Sequence, residues 1–454
     1  MKKANRSMLQ GPLFLNIVSY TIPIILTSVL QLLFNAADLV VVGRYRGSIA
    51  VAAVSATSAL TMLIINLFIG ISVGAGVSVA HAMGGQQHEV TRRTVHTAIP
   101  TAIVSGLIVT VIGVLFSESF LRLMGTPENV LPLSAVYMKI YFGGITFTMV
   151  YNFAASILRA AGDTKSPLIF LSMAGIINVG LNIFFVKELH MNVEGVALAT
   201  IVSQAISAVL CVIALMRRTD ACKLKLRKMR FYKPQLLKLL RIGLPAGIQS
   251  SLFSISNVLI QSSINSFGDI FMSGNGAAAS IEGFIYVIFN SFTQTTVNFI
   301  GQNCGAHQYK RVKKIFLICL ACSVVTTIIA SVAAFAFGRQ LLSIYITDSA
   351  EAIDYGLLRL TYIMLPYFLC AMMEKTTGAL RGMGASLSPM LLSVLGVCGI
   401  RILWIYTIFQ IPAYHTPQSL YLSYPISWVI TFVLQLLAFI FIYRKQVRQD
   451  TLAH

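Results

Sequence analysis

The sequence predicts an all-α integral membrane protein: twelve transmembrane helices in two six-helix lobes, related by a pseudo-twofold axis along the membrane normal. Three observations predict it. Hydrophobic residues make up 56% of the 454-residue chain and charged residues only 11%, against about 25% charged in a soluble domain; the mean hydropathy is +0.79. Apolar runs recur along the whole length, each of the roughly 20 residues that cross a hydrocarbon core about 30 Å thick. The segment LRAAGDTKSP at Leu158 to Pro167 returns as LRGMGASLSP at Leu380 to Pro389.

The repeat sets the architecture. Leu158, Arg159, Gly162, Ser166 and Pro167 match Leu380, Arg381, Gly384, Ser388 and Pro389 at an offset of 222, which also carries Pro23 to Pro245 and Asn35 to Asn257. A second echo joins GGQQHEVTRR (Gly84 to Arg93) to CGAHQYKRVKK (Cys304 to Lys314). A long hydrophobic chain built as two copies of one unit is the usual plan of a membrane transporter. An even number of spans per copy gives both copies the same orientation.

The spans fall at 14–43, 50–82, 92–116, 131–155, 165–187, 193–216, 236–267, 274–303, 314–337, 356–380, 387–411 and 418–443. The first is long and lacks a small-residue cleavage site, so it reads as a retained span. Residues 1–216 form the N-terminal lobe, 217–241 a basic linker and the start of helix 7, and 242–454 the C-terminal lobe. Gly70, Gly74 and Gly76 in span 2 allow close helix approach or bending. Pro23, Pro245, Pro366 and Pro425 fall inside spans and favour kinks. Pro167 and Pro389 suit the first turn of a helix, and Gly162 and Gly384 permit the reversal before it.

The net charge of +19 would suggest nucleic acid in a soluble protein; here its distribution argues for topology. With both termini on one side, that side collects 25 Lys and Arg, including Lys2, Lys3, Arg6 and ten between Arg217 and Arg241. The other side collects seven, among them Arg122, Arg339 and Arg359. Basic residues gather in cytoplasmic loops, so both termini are expected in the cytoplasm, with membrane lipids as partners and nucleic acid excluded. The seven cysteines are odd in number and lie in or near spans, so no disulfide framework is expected. Cys319 and Cys322 read as packing residues. No cofactor and no enzymatic activity are expected: a thiol–His pair, HExxH and a phosphate-binding Gly-Lys loop are all missing. Without the last, the driving force should be an ion gradient.

Of the fifteen acids, three fall well inside spans: Asp38, Glu282 and Glu374. A charge at mid-bilayer costs at least about 2.5–3.5 kcal/mol, so each is a functional candidate. Ser28, Gln31, Asn35 and Asp38 share one face of span 1 and should look into the protein. Span 5 contributes Asn178 and Asn182, span 6 Thr200 and Gln204, each pair one turn apart. At about 1.5 Å per residue, Asp38, Asn182 and Thr200 all lie roughly 7–11 Å below the outer interface. Oxygens gathered at one depth suit Na⁺ or a proton relay; the alternative is a polar tie between helices 1, 5 and 6. The offset of 222 maps Asp38, Asn178 and Asn182 to Ile260, Ile400 and Trp404, so a cation site is expected only in the N-terminal lobe. Glu282 and Arg401, at nearly matching depths, are expected to pair, in a functional or a structural role. Glu374, beside Lys375 near the end of span 10, is expected to snorkel or pair locally.

Two six-span halves, IPIILTSVLQLLFNAADLVVVGR in span 1, LRAAGDTKSP and VEGVALATIVSQ in span 6 resemble the multidrug and toxin extrusion (MATE) family, over nearly the whole chain. The acid late in span 1 resembles the prokaryotic branch grouped with DNA-damage-inducible protein F. The resemblance implies a cation-coupled antiporter of a bacterial or archaeal cytoplasmic membrane. It would export organic, often cationic, small molecules by alternating access, driven by Na⁺ or H⁺. It implies a cation site at Asp38, Asn178 and Thr200, with a second acid one turn after the Asn, where this chain has Asn182. A lipid-linked oligosaccharide flippase of the same broad superfamily is the nearest rival; it should line its cavity with several cationic residues, and Arg401 is the one Arg well inside a span. A monomer is expected.

Overall fold

The computed structural model of the chain describes residues 8–347 and 349–453; Lys2, Lys3 and Arg6 of the basic count lie outside the described residues. No strand occurs among the described residues. The helices are α1 (Leu13–Arg46), α2 (Ser48–Gly84), α3 (His88–Leu123), α4 (Leu131–Gly143), α5 (Ile145–Ala160), α6 (Lys165–Ile183) and α7 (Val193–Arg217), then α8 (Lys233–Asn265), α9 (Asp269–Gly305), α10 (Tyr309–Ala336), α11 (Gly338–Tyr345), α12 (Ala350–Arg359), α13 (Tyr367–Gly382), α14 (Leu387–Ser393), α15 (Ile400–Tyr406) and α16 (Pro417–Ala453). Eight units are singly long and apolar enough to cross a membrane, and two bent pairs add two more. With α8 and α9, which at 33 and 37 residues are long but more polar, the twelve predicted spans each have a helical counterpart.

Spans 4 and 10 are the bent pairs. The α4–α5 unit turns by 47° around Gly144 and the α12–α13 unit by 43° at Pro366. These two residues are themselves 222 apart, so one bend is made twice by different means. At Pro366 the missing N–H breaks the ladder. Near Gly144 the Phe142 carbonyl also accepts from Thr110 Oγ1 at 2.8 Å. Pro23, Pro245 and Pro425 lie inside continuous helices.

The repeated loops share one hydrogen-bond pattern. Gly162 N–H donates to Arg159 O and Asp163 N–H to Leu158 O; Gly384 N–H donates to Arg381 O and Ala385 N–H to Leu380 O. Both glycines are left-handed, at φ +88° and +84°, which closes each helix end with little steric cost. Asp163 alone adds a side-chain cap, accepting from Ser166 N and Oγ at 3.0 and 2.6 Å.

Packing groups residues 22–251 into one unit, and residues 8–21 with 252 onward into a second. The boundary therefore falls inside α8 rather than at residue 242, and the first turns of α1 go with the C-terminal half. In the first unit, α2 and α8 touch through bare backbone: a Cβ on Gly70 would stand 2.2 Å from Gly247 N, and one on Gly243 2.5 Å from Ile71 Cα. Gly70 and Gly74 thus serve close approach. In the second unit, Thr21 Oγ1 lies 2.8 Å from Thr295 Oγ1, and the Tyr20 ring meets Phe299 edge-on at 5.2 Å. All seven cysteines are free thiols.

Candidate functional site

The first unit brings Asp38 to α6 and α7. Phe34, one turn before Asp38, lies where a Cβ on Gly175 would be, 1.8 Å from that position. Gly175 is in turn one turn before Asn178. This missing side chain lets α1 press against α6 and sets the carboxylate between Asn182 and Thr200. Asn182 Nδ2 donates to Asp38 Oδ1 at 2.5 Å and to Asn178 Oδ1 at 3.2 Å. Thr200 Oγ1 donates to Val196 O at 2.9 Å and points to Asp38 Oδ2 at a long 3.4 Å. The Tyr137 and Tyr141 hydroxyls, on stacked rings, lie within reach of the Asp38 charge.

Two features set this cluster apart. No cationic side chain among the described residues lies within ion-pair distance of Asp38, which is only 9% exposed. Two amide oxygens, Asn182 Oδ1 and Gln204 Oε1, are buried with no hydrogen-bond partner among the described residues. Buried carboxylates and carbonyls normally have one. The site thus offers one negative charge and five oxygens to a small cation, two from Asp38 and one each from Asn178, Asn182 and Thr200. An Asn at 182 keeps that charge at one, because an amide donates where a second carboxylate would repel.

The stripe expected on α1 is only partly as drawn. Asp38 is buried, but Gln31 and Asn35 are exposed and Ser28 is half-buried. The four residues do share one face, but only its Asp38 end is covered, by Asn182 of α6 and Thr200 of α7.

The second unit corrects the expected Glu282–Arg401 pair. Glu282 is held by Arg359: Nε donates to Oε1 at 2.7 Å and Nη2 to Oε2 at 2.8 Å. Arg359 Nη1 donates to Asn275 Oδ1 at 2.6 Å, and Tyr421 OH to the same oxygen at 3.0 Å. Counting backbone depth failed here. The bent unit begins at Ala350 rather than at 356, so Arg359 is its tenth residue and lies within reach of Glu282. Arg401 instead donates to Ser427 Oγ at 3.0 Å and stacks over the Tyr424 ring at 4.0 Å. Glu374 is 9% exposed and Lys375 fully buried, so the snorkelling expected of Glu374 does not occur. Lys375 Nζ donates to Phe289 O at 2.5 Å and to Thr293 Oγ1. Three cations are therefore buried in this unit where sequence counting found one. Arg359 spends its fork on Glu282 and Asn275, which disfavours the flippase reading.

Comparison with known proteins follows the same division. A sequence model of the MatE family matches residues 23–184 and 245–407, two copies whose starts are again 222 apart. The probable multidrug resistance protein YoeA of Bacillus subtilis is 27% identical over 440 residues, 94% of this chain and 93% of that one. Two solved structures share the fold. One is a MOP superfamily transporter from Pyrococcus furiosus, described as having a binding pocket of reverse polarity, with TM-score 0.90, 19% identity, and 98% and 99% of the two chains covered. The other is an outward-facing multidrug resistance MATE family transporter, with TM-score 0.89, 20% identity, and 99% and 100% covered. With both repeats matched in succession, the chain belongs to the MatE family of multidrug and toxin extrusion proteins, multi-pass membrane transporters rather than enzymes.

Proposed function

We propose that this transporter is a secondary antiporter that exports organic, often cationic, small molecules in exchange for Na⁺ or H⁺. Asp38 carries the coupling ion, with Asn178, Asn182 and Thr200 around it. The supporting observation is the buried Asp38 carboxylate without a cationic partner. An uncompensated charge in a membrane span costs about 3 kcal/mol. A bound cation or proton removes that cost, and about 2.7 kcal/mol is a hundredfold in a two-state population. Occupancy of one carboxylate therefore suffices to bias the lobes between two access states. Substrate favouring the other state couples the two fluxes, because each ligand shifts the equilibrium only by its differential affinity. A proton would sit on Asp38 Oδ2, whose sole donor is the long Thr200 contact. Na⁺ would draw on the unpartnered Asn182 and Gln204 oxygens as well. Both termini face the cytoplasm of a bacterial cell in this reading, and the protein works as a monomer.

Proteoliposome efflux of a cationic dye tests it, with Na⁺ and pH gradients imposed separately. Asp38→Asn is expected to stop gradient-driven efflux while folded protein remains in the membrane. Undiminished efflux by that variant would remove Asp38 from the coupling role.

A further inference from the structure

The basic linker is a folded element. Cys222 and Leu224 are fully buried against the first unit, and Leu224 N–H donates to Leu215 O. His96, on the third turn of α3 and 2% exposed, clasps the segment that follows Leu224. Its Nδ1 lies 2.7 Å from the Arg92 carbonyl, which can only accept, so Nδ1 carries the hydrogen. Its Nε2 is then the acceptor for Lys225 N–H at 3.1 Å. Arg230 N–H donates to the His96 carbonyl, and Tyr232 N–H to Thr97 Oγ1 at 3.2 Å. These backbone bonds fix residues 225–232 beside the start of α3.

Between them is a cavity of about 310 Å³, lined by Arg92, Arg93, His96, Arg227, Lys228, Met229, Arg230 and Tyr232. Five of the eight are cations and none is an acid. Arg230 and Arg93 both sit over the Tyr232 ring, at 4.5 and 5.4 Å, which fans the guanidinium groups around the opening. Glu89, outside the cavity, pairs with Arg92 and Arg93 at 2.5 and 2.9 Å. That leaves Arg227, Lys228 and Arg230 with no carboxylate among the described residues. Like charges held together cost energy unless an anion joins them. A cavity of this size and composition matches a phosphate group, which guanidinium forks grip bidentately. Its place at the entry of a spanning helix is the level of lipid headgroups.

We propose that this cavity binds a phosphate group, carried by an anionic lipid headgroup or by a free phosphorylated compound. Only the naming of the leaflet, cytoplasmic, rests on the proposed function.

Native mass spectrometry of the full chain tests this by binding alone. The chain would be released from nanodiscs of equal phosphatidylglycerol and phosphatidylcholine, and separately titrated with inorganic phosphate. Retention of phosphatidylglycerol is expected to exceed that of phosphatidylcholine at least fivefold. Arg227→Gln/Arg230→Gln, both exposed, should remove that preference; Lys313→Gln/Lys314→Gln, elsewhere on the basic surface, should leave it. Inorganic phosphate bound with the same dependence on Arg227 and Arg230, without lipid preference, would assign the cavity to a free phosphate ligand. Should the 227/230 variant aggregate, Arg92→Gln/Arg93→Gln answers the same question. Equal retention by all variants, or no binding of either probe, overturns the proposal. The proposed function is judged separately by efflux, so each can fail alone.

Discussion

The two halves of this chain bury one carboxylate cluster each, and treat it in opposite ways. In the N-terminal unit, Asp38 faces the Asn182 amide and the Thr200 hydroxyl, with no cation at ion-pair distance among the described residues. In the C-terminal unit, Glu282 is closed by a bidentate guanidinium that Asn275 and Tyr421 complete. The offset of 222 shows that neither cluster survives in the other copy. Asp38, Asn178, Asn182 and Thr200 become Ile260, Ile400, Trp404 and Leu422; Arg359 and Tyr421 become Tyr137 and Ala199, and Glu282 and Asn275, on helices that correspond at an offset of 221, become Thr61 and Val54. What both copies keep is backbone: the glycine turns at 162 and 384, and the bends at 144 and 366. Duplication has retained the device that shapes helices and let the charges diverge. One half is left with a charge that an ion can neutralise, the other with a charge already neutralised.

This contrast is broken most directly by exchanging the roles. If it holds, Asp38→Asn removes coupled efflux altogether, whereas Glu282→Gln acts on stability. Taking the carboxylate away leaves the Arg359 charge buried, at about 3–5 kcal/mol. Replacing both partners, Glu282→Met with Arg359→Leu, should recover most of that loss. Thermal unfolding in detergent measures it, and efflux per folded molecule should stay near the parent's. Complete loss of efflux in a stably folded Glu282→Gln protein would mean that the C-terminal cluster also carries an ion.

A smaller effect sharpens how the open site is held together. Gly175→Ala would place a methyl inside the Phe34 ring. Overpacking of this kind costs about 1–3 kcal/mol, and here it should also lift Asp38 from Asn182. Reduced stability and reduced efflux are expected together, both largely restored by adding Phe34→Ala. A double-mutant cycle in which the second change adds its own loss, without rescue, would mean that this contact does not position Asp38.

How much of this was legible in the sequence differs between the two clusters. Asp38, Asn182 and Thr200 were found by helical spacing and matching depth, because all three are short side chains whose functional atoms stay near their backbone. Arg359 escaped the same reasoning because span 10 was drawn six residues short at its start, which counted this residue with the loops. Glu374, buried where snorkelling was expected, was misjudged for another reason: consecutive helical residues do not face each other, so its neighbour Lys375 was no guide to its environment. The bend at Pro366 had a visible cause and the one at Gly144 did not. The linker's charge was plain from composition, but its folding depends on His96, a single buried ring whose two hydrogen bonds leave no pattern in the chain.

The smallest expected effect lies in that linker, outside the membrane, and extends the comparison to a half-buried acid. Burial alone would raise the Asp220 carboxyl. The Arg218 guanidinium, donating from Nε at 2.9 Å and also from Nη2, together with Cys222 N–H at 3.0 Å, holds it below its ordinary value instead. A depressed carboxyl contributes stability that is in place above its unfolded pKa of about 3.9, and fades as pH falls through the lower folded value. The pair is partly exposed, so its worth is under about 1 kcal/mol. Asp220→Asn should therefore speed proteolysis of the linker slightly at pH 7, and parent and variant should converge as the medium is taken below pH 4. Equal cleavage at pH 7 would mean that His96 and the buried Cys222 and Leu224 hold the linker without help from this pair.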